Sequence, residues 1–535
     1  MKRSTLAVLA SASLAWTGAA CGSTSPPQTD GESGGAPPSG GAAAVGGTSS
    51  GGSPAGGTST GGTASGGGAL TSGGTASGGG SGGSEPRPVV EAEPGTSLLV
   101  IDPTELRQHF QGFGTSMCWW ANRVGRWTPE GVGRVADVLL DEVEGLGFNI
   151  FRYNIGGGEN PSHTHMDEYK DLEGFQGSDG SFDWTADQSQ RAVLDALVAR
   201  NDDLILEAFS NSPPYWMTES SCASGSSGGG NNLKADSYDD FAHYLTEVAL
   251  HFRDEWGITF QTLEPLNEPN STWWKSDGGQ EGCHFSPANQ EQIIKLVREQ
   301  LDEKGLTDTL VSAADENSID DAITNLNGFG DDTLAAIAQI NVHSYAGSKR
   351  QELRALATEL NRPLWQSESG PLGISVDDDI EAALVMAERI MDDLTDLGAE
   401  AWLDWQVGDV SVNWASITLN DADEDFELRK RFYVQAAYSR FIRPGAQILG
   451  VDAPDVLAAL NQDGQSLVLV FWGGGAERSF TLDLTQLPTV GTEAQIFRTS
   501  RTEDLEPLSP LAIEGYSLVI SAPAGALTTL VVPLP

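Results

Sequence analysis

The segment Thr262-Leu263-Glu264-Pro265-Leu266-Asn267-Glu268-Pro269 is a short apolar run that ends in an acidic side chain. The same arrangement recurs in Pro363-Leu364-Trp365-Gln366-Ser367-Glu368-Ser369-Gly370, so that Glu268 and Glu368 are 100 residues apart. A strand and the helix that follows it take roughly 30 residues, which separates the two runs by three such units. We count them as strands four and seven of a parallel sheet.

On both sides of these two segments, short apolar runs alternate with longer segments of helical period. Segments 238–254 and 379–395 are examples of the helical kind. Eight units of this type predict a closed (β/α)8 barrel over residues 85–443. An open doubly wound sheet is the competing fold, but no G-x-G-x-x-G follows the first strand. The predicted strands end near Gly114, Asn154, Ser210, Asn267, Ala314, Tyr345, Glu368 and Gln406.

The pattern changes after the last predicted helix, at residues 426–443. Residues 444–535 contain short alternating or β-branched runs, which predict an antiparallel β-sandwich appended to the barrel. Segment 97–101 is a candidate additional strand of this sandwich, within the stretch 85–105. The clearest predicted strands are 466–471, 480–484, 493–498, 517–521 and 527–532.

The first 84 residues have a composition of their own. Lys2 and Arg3 precede an apolar stretch, and small residues stand before Cys21, so residues 1–20 resemble an export signal. Residues 21–84 are rich in Gly, Ser and Thr and are typical of a disordered tether. We expect export in a bacterial setting, either as a cell-surface lipoprotein acylated at Cys21 or as a secreted protein.

Charge and composition exclude several classes of function. The chain has 535 residues, 39% of them hydrophobic and 20% charged, with a formal charge of −45 at pH 7. This charge repels nucleic acid and anionic lipid, so we expect no nucleic-acid partner. Membrane contact is expected only through a lipid at Cys21, because no later apolar run approaches the roughly 20 residues of a membrane span.

Three cysteines remain once Cys21 is set aside. An odd number allows at most one internal bridge, and we predict Cys222 to Cys283 because each follows a neighbouring candidate strand. Cys118 is predicted to be a buried free thiol. The cysteine spacings do not resemble a zinc site.

One remaining polar cluster could bind a metal, but the signal is weak. His163 and His165 stand close to Asp167 and Glu168, but a solvated polar loop is the simpler interpretation. We therefore expect no metal, no cofactor and a monomer.

Glu268 and Glu368 form the pair of acids that glycoside hydrolysis requires. One carboxyl group protonates the leaving oxygen and the other acts on the anomeric carbon. Catalytic groups of a barrel lie at the carboxyl ends of its strands, where both glutamates are predicted. Considered singly, either glutamate could be an ordinary exposed loop residue. The prediction of glycoside hydrolysis therefore depends on the occurrence of both at strand ends with the correct spacing.

Four further motifs carry a family resemblance. Gln111-Gly112-Phe113-Gly114, Arg152-Tyr153-Asn154-Ile155-Gly156-Gly157, Ser212-Pro213-Pro214-Tyr215-Trp216-Met217 and Asn267-Glu268-Pro269 resemble glycoside hydrolase family 30, in the clan A retaining glycosidases. The similarity runs from about Leu98 to the C-terminus. Gly114-Thr115-Ser116 followed by Trp119-Trp120-Ala121 is most similar to the endo-β-1,6-galactanase branch.

The resemblance implies a role for each matching residue. Glu268 would be the general acid/base, Glu368 the nucleophile, and Asn267 the ligand of the sugar 2-hydroxyl. Arg152 would hold Glu368 ionised. The further residues expected to bind substrate are His343, Tyr345, Trp405, Asn211 and Glu159.

Aromatic side chains are a second, independent indication of a sugar site. Many of the 14 tryptophans fall at or just beyond predicted strand ends, where apolar sugar faces could stack on them. Core packing is the alternative for each. The candidates are Trp119, Trp120, Trp216, Trp273, Trp274, Trp405 and Trp414.

The last predicted βα loop bears on the substrate. Residues 407–427 contain four aspartates and no Lys or Arg, so an acidic sugar would be repelled. The loop therefore favours a neutral glycan, and the resemblance implies a neutral β-linked galactan, β-1,6-galactan first, cleaved internally with retention. The alternatives are another specificity of the family (β-1,6-glucanase, neutral xylanase, glucosylceramidase-like) and a non-catalytic glycan-binding module.

Overall fold

The computed structural model describes residues 87–371, 379–412 and 414–535. The predicted export signal, the acylation site at Cys21 and the whole of the predicted tether, residues 21–84, lie outside these residues. The described residues belong to one compact unit. Among them, no helix is long and apolar enough to cross a membrane.

Two short strands precede the barrel, and eight parallel strands then close it in the order β10-β3-β4-β5-β6-β7-β8-β9. The predicted (β/α)8 barrel is therefore confirmed, with Glu268 after its fourth strand and Glu368 on its seventh. The strands are β1 (Ser97–Val100), β2 (Leu106–His109), β3 (Gly112–Ser116), β4 (Ile150–Asn154), β5 (Ile205–Phe209), β6 (Thr262–Glu264), β7 (Leu310–Ser318), β8 (Gln339–Ala346), β9 (Leu364–Ser369) and β10 (Ala401–Asp404).

The helices lie between successive barrel strands and after the last one. A 3-10 turn at Tyr215–Met217 and a π-helical turn at Asp393–Leu397 add to them. The helices are α1 (Trp120–Val124), α2 (Pro129–Leu140), α3 (Gln188–Val198), α4 (Tyr238–Trp256), α5 (Pro287–Glu303), α6 (Ile319–Gly328), α7 (Asp331–Ala336), α8 (Arg350–Leu360), α9 (Asp379–Asp392) and α10 (Lys430–Ser439).

The barrel strands are buried on both faces. Every residue of β3, β4 and β9 is buried, because side chains fill the barrel interior on one side and contact the helices on the other. This double burial explains why the strands are recognisable in sequence as continuous apolar runs. The acidic and amide side chains that interrupt these apolar segments lie close together inside the barrel.

The last βα loop carries a small sheet that the sequence did not predict. It consists of β11 (Gly408–Asp409), β12 (Ile417–Asn420) and β13 (Asp425–Leu428), in that order. The predicted helix at 426–443 was wrong at its start, because residues 425–428 pair with β12 and helix α10 begins at Lys430.

The C-terminal region is the predicted β-sandwich. Its large sheet has the order β19-β18-β21-β16-β15-β14-β2, and its small sheet has the order β1-β17-β20. Segment 97–101 thus does contribute a strand, β1, which pairs in parallel with β17. The remaining strands are β14 (Gln447–Leu449), β15 (Val456–Leu460), β16 (Ser466–Trp472), β17 (Arg478–Asp483), β18 (Glu493–Thr499), β19 (Glu506–Ala512), β20 (Ser517–Ala522) and β21 (Leu527–Pro533).

Strand β16 faces two cores. Leu467, Leu469 and Phe471 pack between the two sheets of the sandwich, whereas Val468 and Val470 belong to the hydrophobic core of the barrel. Because alternate residues of a strand point to opposite faces, a single strand serves both cores. The large sheet is thus covered by the barrel on one side and by the small sheet on the other.

Candidate active site

A cavity of about 670 Å³ opens at the carboxyl ends of the barrel strands and contains both predicted catalytic acids. Its wall combines aromatic rings with carboxylates and amides, which is the composition expected of a sugar site. The lining residues are Trp119, Lys170, Ser224, Asn267, Glu268, Trp273, Trp274, Lys275, Gly278, Gly279, Gln280, Asn317, Tyr345, Glu368, Trp405, Gln406, Asp409 and Trp414.

Glu268 is buried just beyond the end of β6. Its backbone has a positive φ of 47°, an uncommon conformation for a residue with a side chain, and its N–H donates to the carbonyl of Asp315 at 2.9 Å. Its Oε1 accepts a hydrogen bond from Asn317 Nδ2 at 2.6 Å and lies 3.2 Å from His343 Nδ1. These contacts fix the carboxyl group on the cavity wall.

Glu368 extends from β9 toward the same point. Arg152 Nη1 lies 3.4 Å from its Oε2, and His343 Nδ1 lies 3.5 Å from its Oε1. Carboxylate oxygens of Glu268 and Glu368 approach within 4.8 Å of one another. Burial raises the pKa of Glu368 to about 7, and Glu268 adds to the rise, while His343 and Arg152 oppose it.

His343 is a buried cation between the two acids. Its Nδ1 faces both glutamates, and its Nε2 lies 3.2 Å from Asp315 Oδ1. Burial favours the neutral ring, but the charges of Glu368 and Asp315 outweigh it and raise the pKa of His343 to about 10. The imidazolium and the guanidinium of Arg152 in turn hold the pKa of Asp315 far below its usual range, against its own burial.

Arg152 supports the site from inside the barrel. It is fully buried and donates to Glu207 Oε1 at 2.8 Å and to Asp315 Oδ2 at 2.6 Å, in addition to its contact with Glu368. Asn341 Nδ2 donates to both oxygens of Glu207 at 3.0 Å. A buried charge must be compensated by partners, and this network provides them without using the cavity side of Glu368.

Asn267 and six aromatic rings complete the wall. The Oδ1 atom of Asn267 is buried and has no hydrogen-bond partner within the described parts of the chain. Burial and the charges of Glu368 and Glu268 hold the pKa of Tyr345 well above its usual value, which keeps its phenol neutral. The structure brings these rings to the cavity: Trp119, Trp273, Trp274, Tyr345, Trp405 and Trp414.

Two predicted tryptophans lie elsewhere. Trp120 is 1% exposed, packs in the barrel core and donates its Nε1 to the carbonyl of Ser116 at 2.7 Å. It begins helix α1, so its ring turns back into the barrel whereas Trp119 faces the cavity. Trp216 lines a separate depression and donates to the carbonyl of Gln176. The described lining of the cavity includes neither.

Asn211 and Glu159 are also absent from the described cavity lining. Asn211 is buried behind the wall, where its N–H donates to Asn154 Oδ1 and its Nδ2 contacts Cys118 Sγ at 3.6 Å. Glu159 is directed toward the loop after β5, where its Oε2 accepts from the N–H of Ala223 at 2.8 Å. The sequence predicted the correct edge of the barrel for both residues, but it did not predict the directions of their side chains.

The predicted disulfide is wrong, because Cys118, Cys222 and Cys283 are all buried free thiols. The backbones around Cys222 and Cys283 do pair, since Gly282 N–H donates to the carbonyl of Ala223 at 2.9 Å. The side chains nevertheless point apart. Cys222 Sγ lies 3.4 Å from His163 Nδ1, whereas Cys283 packs in the barrel core.

Several residues of the site were not predicted as site residues, Lys170 and Lys275 among them. Asp315 and Asn317 extend from the end of β7, directly after the buried Ala313 and Ala314, and Gln406 and Asp409 follow β10. The signal that could have found Asp315 and Asn317 is the polar run Asp315-Glu316-Asn317 at a predicted strand end. Only the contact with Glu268 distinguishes Asn317 from an ordinary loop amide.

Two groups of side chains in the described residues could hold a metal ion by the spacing of their donor atoms. The first is Glu268, His343 and Glu368. His343 Nδ1 lies 3.2 Å from Glu268 Oε1 and 3.5 Å from Glu368 Oε1, so these three side chains already serve one another as partners in the catalytic site. The second group is Glu159, His163, His165 and Cys222, and it lies outside the described cavity lining.

A pair of buried acids at the carboxyl ends of barrel strands four and seven, inside an aromatic cavity, defines a glycoside hydrolase site. Comparison with known proteins agrees. The family model for O-glycosyl hydrolase family 30 matches residues 96–359. An endo-β-1,6-galactanase of Hypocrea rufa is 34% identical over 425 residues, which cover 74% of this chain and 85% of that protein. The chain therefore belongs to glycoside hydrolase family 30 and is a glycoside hydrolase.

Two further relatives extend the comparison. An exo-β-1,6-galactobiohydrolase of Bifidobacterium longum is 26% identical over 56% of this chain, which spans about a quarter of that protein. The catalytic domain of xylanase C from Talaromyces cellulolyticus, another member of family 30, superposes with a TM-score of 0.64 at 19% identity. That superposition covers 82% of this chain and all of the other, and it shows the shared fold.

Proposed function

We propose that this protein is a retaining endo-β-1,6-galactanase. The observation that carries the proposal is the 34% identity to the Hypocrea rufa endo-β-1,6-galactanase across most of both chains. The approach of the two acids to within 4.8 Å supports retention. Retaining enzymes hold their carboxyl groups about 5 to 5.5 Å apart, whereas inverting enzymes leave room for a water between them.

In the proposed mechanism, Glu368 attacks the anomeric carbon while Glu268 donates its proton to the glycosidic oxygen. The bond to the leaving sugar breaks, and a covalent glycosyl-enzyme forms on Glu368. Glu268, now ionised, removes a proton from water as the water attacks the same carbon. This second displacement releases the product and restores both carboxyl groups.

Arg152 and His343 are proposed to be positioning residues. Arg152 holds Oε2 of Glu368, and His343 places one positive charge beside both acids. The positive charges favour the ionised form of Glu368, which is the nucleophilic form. Asn317 keeps Oε1 of Glu268 in place through a 2.6 Å hydrogen bond.

Asn267 and the tryptophans are proposed to bind the sugar. The unpartnered Oδ1 of Asn267 can accept from a sugar hydroxyl, a bond that compensates its burial. The rings of Trp119 and Trp405 meet edge to face at 5.5 Å, and together they form a corner of the cavity. Apolar faces of galactose can pack against such rings.

A neutral glycan is proposed on the basis of the last βα loop. Asp409 from this loop lines the cavity, and the segment 407–427 offers no cation to a uronate. Lys170 and Lys275 lie on other loops of the same cavity, so the test must include a charged substrate. The alternatives within the family are a β-1,6-glucanase, a neutral xylanase and a glucosylceramidase-like enzyme.

The test is product release from a panel of glycans. The panel contains β-1,6-galactan, arabinogalactan with and without uronate, β-1,6-glucan and neutral xylan. We expect a ladder of galacto-oligosaccharides from β-1,6-galactan, with the β-anomer formed first in an NMR time course. Galactobiose as the sole early product would indicate exo action, and hydrolysis of another glycan alone would replace the proposed substrate.

Variants of the two acids test the mechanism. Glu368→Gln should abolish hydrolysis of every substrate. Glu268→Gln should lower the rate on galactan by about 10² to 10⁴ but retain turnover of an aryl glycoside whose leaving group needs no proton. Azide should rescue Glu268→Gln and yield a β-glycosyl azide. Glu219→Gln, an exposed glutamate in a neighbouring loop, is the matched control.

We also propose that the chain is exported and carries a lipid on Cys21. The support is the order of the first residues, in which Lys2 and Arg3, an apolar run and small side chains lead to Cys21. Bacterial expression with a labelled fatty acid tests this proposal. The wild-type chain should be labelled in the membrane fraction and Cys21→Ala should not, whereas secretion of unlabelled wild-type protein would refute acylation.

A further inference from the structure

Four metal-ligand side chains meet on the loops beside the active-site cavity. Glu159, His163 and His165 come from the loop between β4 and α3, and Cys222 comes from the loop between β5 and α4. One donor atom from each lies within 4.8 Å of all the others. Glu159 and Cys222 are buried and the two histidines are half-buried. Glycoside hydrolysis by two carboxyl groups makes no use of this cluster.

The distances inside the cluster are those of donors around one ion. His163 Nδ1 lies 2.9 Å from Glu159 Oε1 and 3.4 Å from Cys222 Sγ. Around a tetrahedral Zn²⁺ with bonds of about 2.0 Å to nitrogen and 2.3 Å to sulfur, nitrogen and sulfur are separated by about 3.5 Å. Both measured separations, and the approach of all four donor atoms to within 4.8 Å of one another, are compatible with ligands of one tetrahedral ion.

His165 supplies an independent sign of a ligand. Its Nδ1 lies 2.8 Å from the carbonyl oxygen of Gly278, which can only accept, so Nδ1 carries the proton and Nε2 has a free lone pair. Nε2 is buried and has no hydrogen-bond partner among the residues the structure describes. Metal-bound histidines show this arrangement, in which one nitrogen donates to a carbonyl and the other binds the ion.

We propose that Glu159, His163, His165 and Cys222 bind one Zn²⁺ ion in a structural site. One thiolate, two imidazoles and one carboxylate form a donor set that suits zinc, whereas Mg²⁺ and Ca²⁺ prefer oxygen ligands. Four protein ligands leave no open position for substrate, which is typical of structural zinc. Asp167 and Glu168, which stand beside these histidines in the sequence, are not part of the cluster.

The site connects three loops that form one wall of the cavity. Glu159 Oε2 accepts from Ala223 N–H, and His165 bonds to Gly278, which belongs to the loop after β6. Ser224 and Gly278 both line the active-site cavity. Bound zinc would thus hold this wall in place. The free thiol of Cys222 would serve as a metal ligand instead of forming the disulfide predicted from sequence.

The first test is the metal content and zinc affinity of the full chain, expressed without a histidine tag. We expect about one zinc per chain on purification, and recovery of one tightly bound Zn²⁺ after stripping with a chelator. Cys222→Ala and His165→Gln should each weaken zinc binding by about 100-fold or more. Cys283→Ala and His243→Gln, a buried thiol and a helix-surface histidine outside the cluster, are the matched controls and should bind as the wild type does.

The second test is replacement of zinc by Co²⁺, which reports the ligands directly. We expect the visible absorption of tetrahedral Co²⁺ and a thiolate-to-cobalt charge-transfer band in the near ultraviolet. The band should be absent in Cys222→Ala and present in Cys283→Ala. If Cys222→Ala does not fold, His165→Gln carries the affinity test alone. Zinc affinity that is unchanged by these variants, or a folded wild-type chain that binds no Zn²⁺, would overturn the proposal.

Discussion

At the scale of single residues, His343 controls the charge state of the catalytic pair. It lies within 3.5 Å of both glutamates and remains protonated to about pH 10. Burial raises the pKa of Glu368 to about 7, while the charges of His343 and Arg152 oppose this rise and favour the ionised carboxylate. The ionisation of Glu368 is therefore coupled to the charges of the residues around it.

Substitution of Glu268 and substitution of His343 should shift the pH dependence of hydrolysis in opposite directions. The charge of Glu268 raises the pKa of Glu368 and the charge of His343 lowers it. Because the nucleophile must be ionised, the acid limb of kcat/KM reports this pKa. On an aryl glycoside with a good leaving group, Glu268→Gln should move the limb to lower pH and His343→Gln to higher pH, each by about one unit.

Full pH profiles of kcat/KM measure these shifts. Glu219→Gln, at an exposed position outside the described cavity lining, should retain the wild-type limb. An acid limb that stays in place in both variants would mean that the limb reports a group other than Glu368. A loss of activity without a shift in His343→Gln would indicate a purely structural histidine.

At the scale of the structural elements, strands β3 and β4 depend on a close approach of their backbones. Gly114 pairs with Ile150 across the two strands, and a Cβ atom at Gly114 would lie 1.9 Å from the carbonyl oxygen of Ile150. Main-chain atoms of a barrel strand cannot move aside as a flexible side chain can. This contact gives a physical reason for Gly114 in the motif Gln111-Gly112-Phe113-Gly114.

Gly114→Ala should destabilise the barrel by about 1–3 kcal/mol or more, as overpacking of a rigid interior does. Gly328→Ala is the matched control, because Gly328 ends helix α6 and its added Cβ meets no atom within 4 Å. The control should be neutral or slightly stabilising. Urea unfolding followed by circular dichroism measures both, and equal stability of the two variants would contradict the explanation.

The barrel strands were predictable because they are buried on both faces. All eight barrel strands were found because packing on two sides produces apolar runs. Strand β19 was missed because it carries Pro507 and Pro510, which an edge strand tolerates without ladder hydrogen bonds. Strands β11 to β13 were missed because their pairing arises within one long loop.

The active site was predictable to the extent that its chemistry lies in strand-end motifs. Glu268, Glu368 and Asn267 follow recognisable runs, and the structure brings all three to one cavity. The directions of Trp120 and Glu159 were not predictable, since a shift of one residue along a loop turns a side chain from cavity to core. Partnerships such as Asn317 with Glu268 depend on contacts between distant strands.

At the scale of the whole molecule, barrel and sandwich share a hydrophobic core. Val468 and Val470 of β16 and Leu527 of β21 pack into the barrel cluster, and Thr529 Oγ1 donates to the carbonyl of Ala437 in α10 at 2.8 Å. Strands β1 and β2, which precede the barrel in the chain, pair with strands of the sandwich. Both parts of the chain are therefore needed to cover the same apolar surfaces.

Removal of residues 444–535 should prevent the barrel from folding as a soluble domain. The deletion exposes the barrel face that the large sheet covers and leaves β1 and β2 without partners. We expect aggregation or strong binding of a hydrophobic dye, whereas the wild-type chain should unfold in one cooperative calorimetric transition. Removal of residues 1–84 is the control and should leave hydrolysis intact. A soluble, active chain ending at residue 443 would contradict a shared core.

The formal charge of −45 acts on substrates as well as on other partners. A uronate-bearing galactan is an anion and approaches an enzyme of the same sign, so their repulsion should lower kcat/KM at low ionic strength. Added salt shortens the screening length from about 30 Å at 0.01 M to about 8 Å at 0.15 M. We therefore expect kcat/KM on the acidic galactan to rise with salt, while kcat/KM on neutral β-1,6-galactan stays constant. Initial rates at subsaturating substrate measure both, and a rate on the acidic polymer that falls with salt would instead indicate attraction by Lys170 and Lys275 in the cavity.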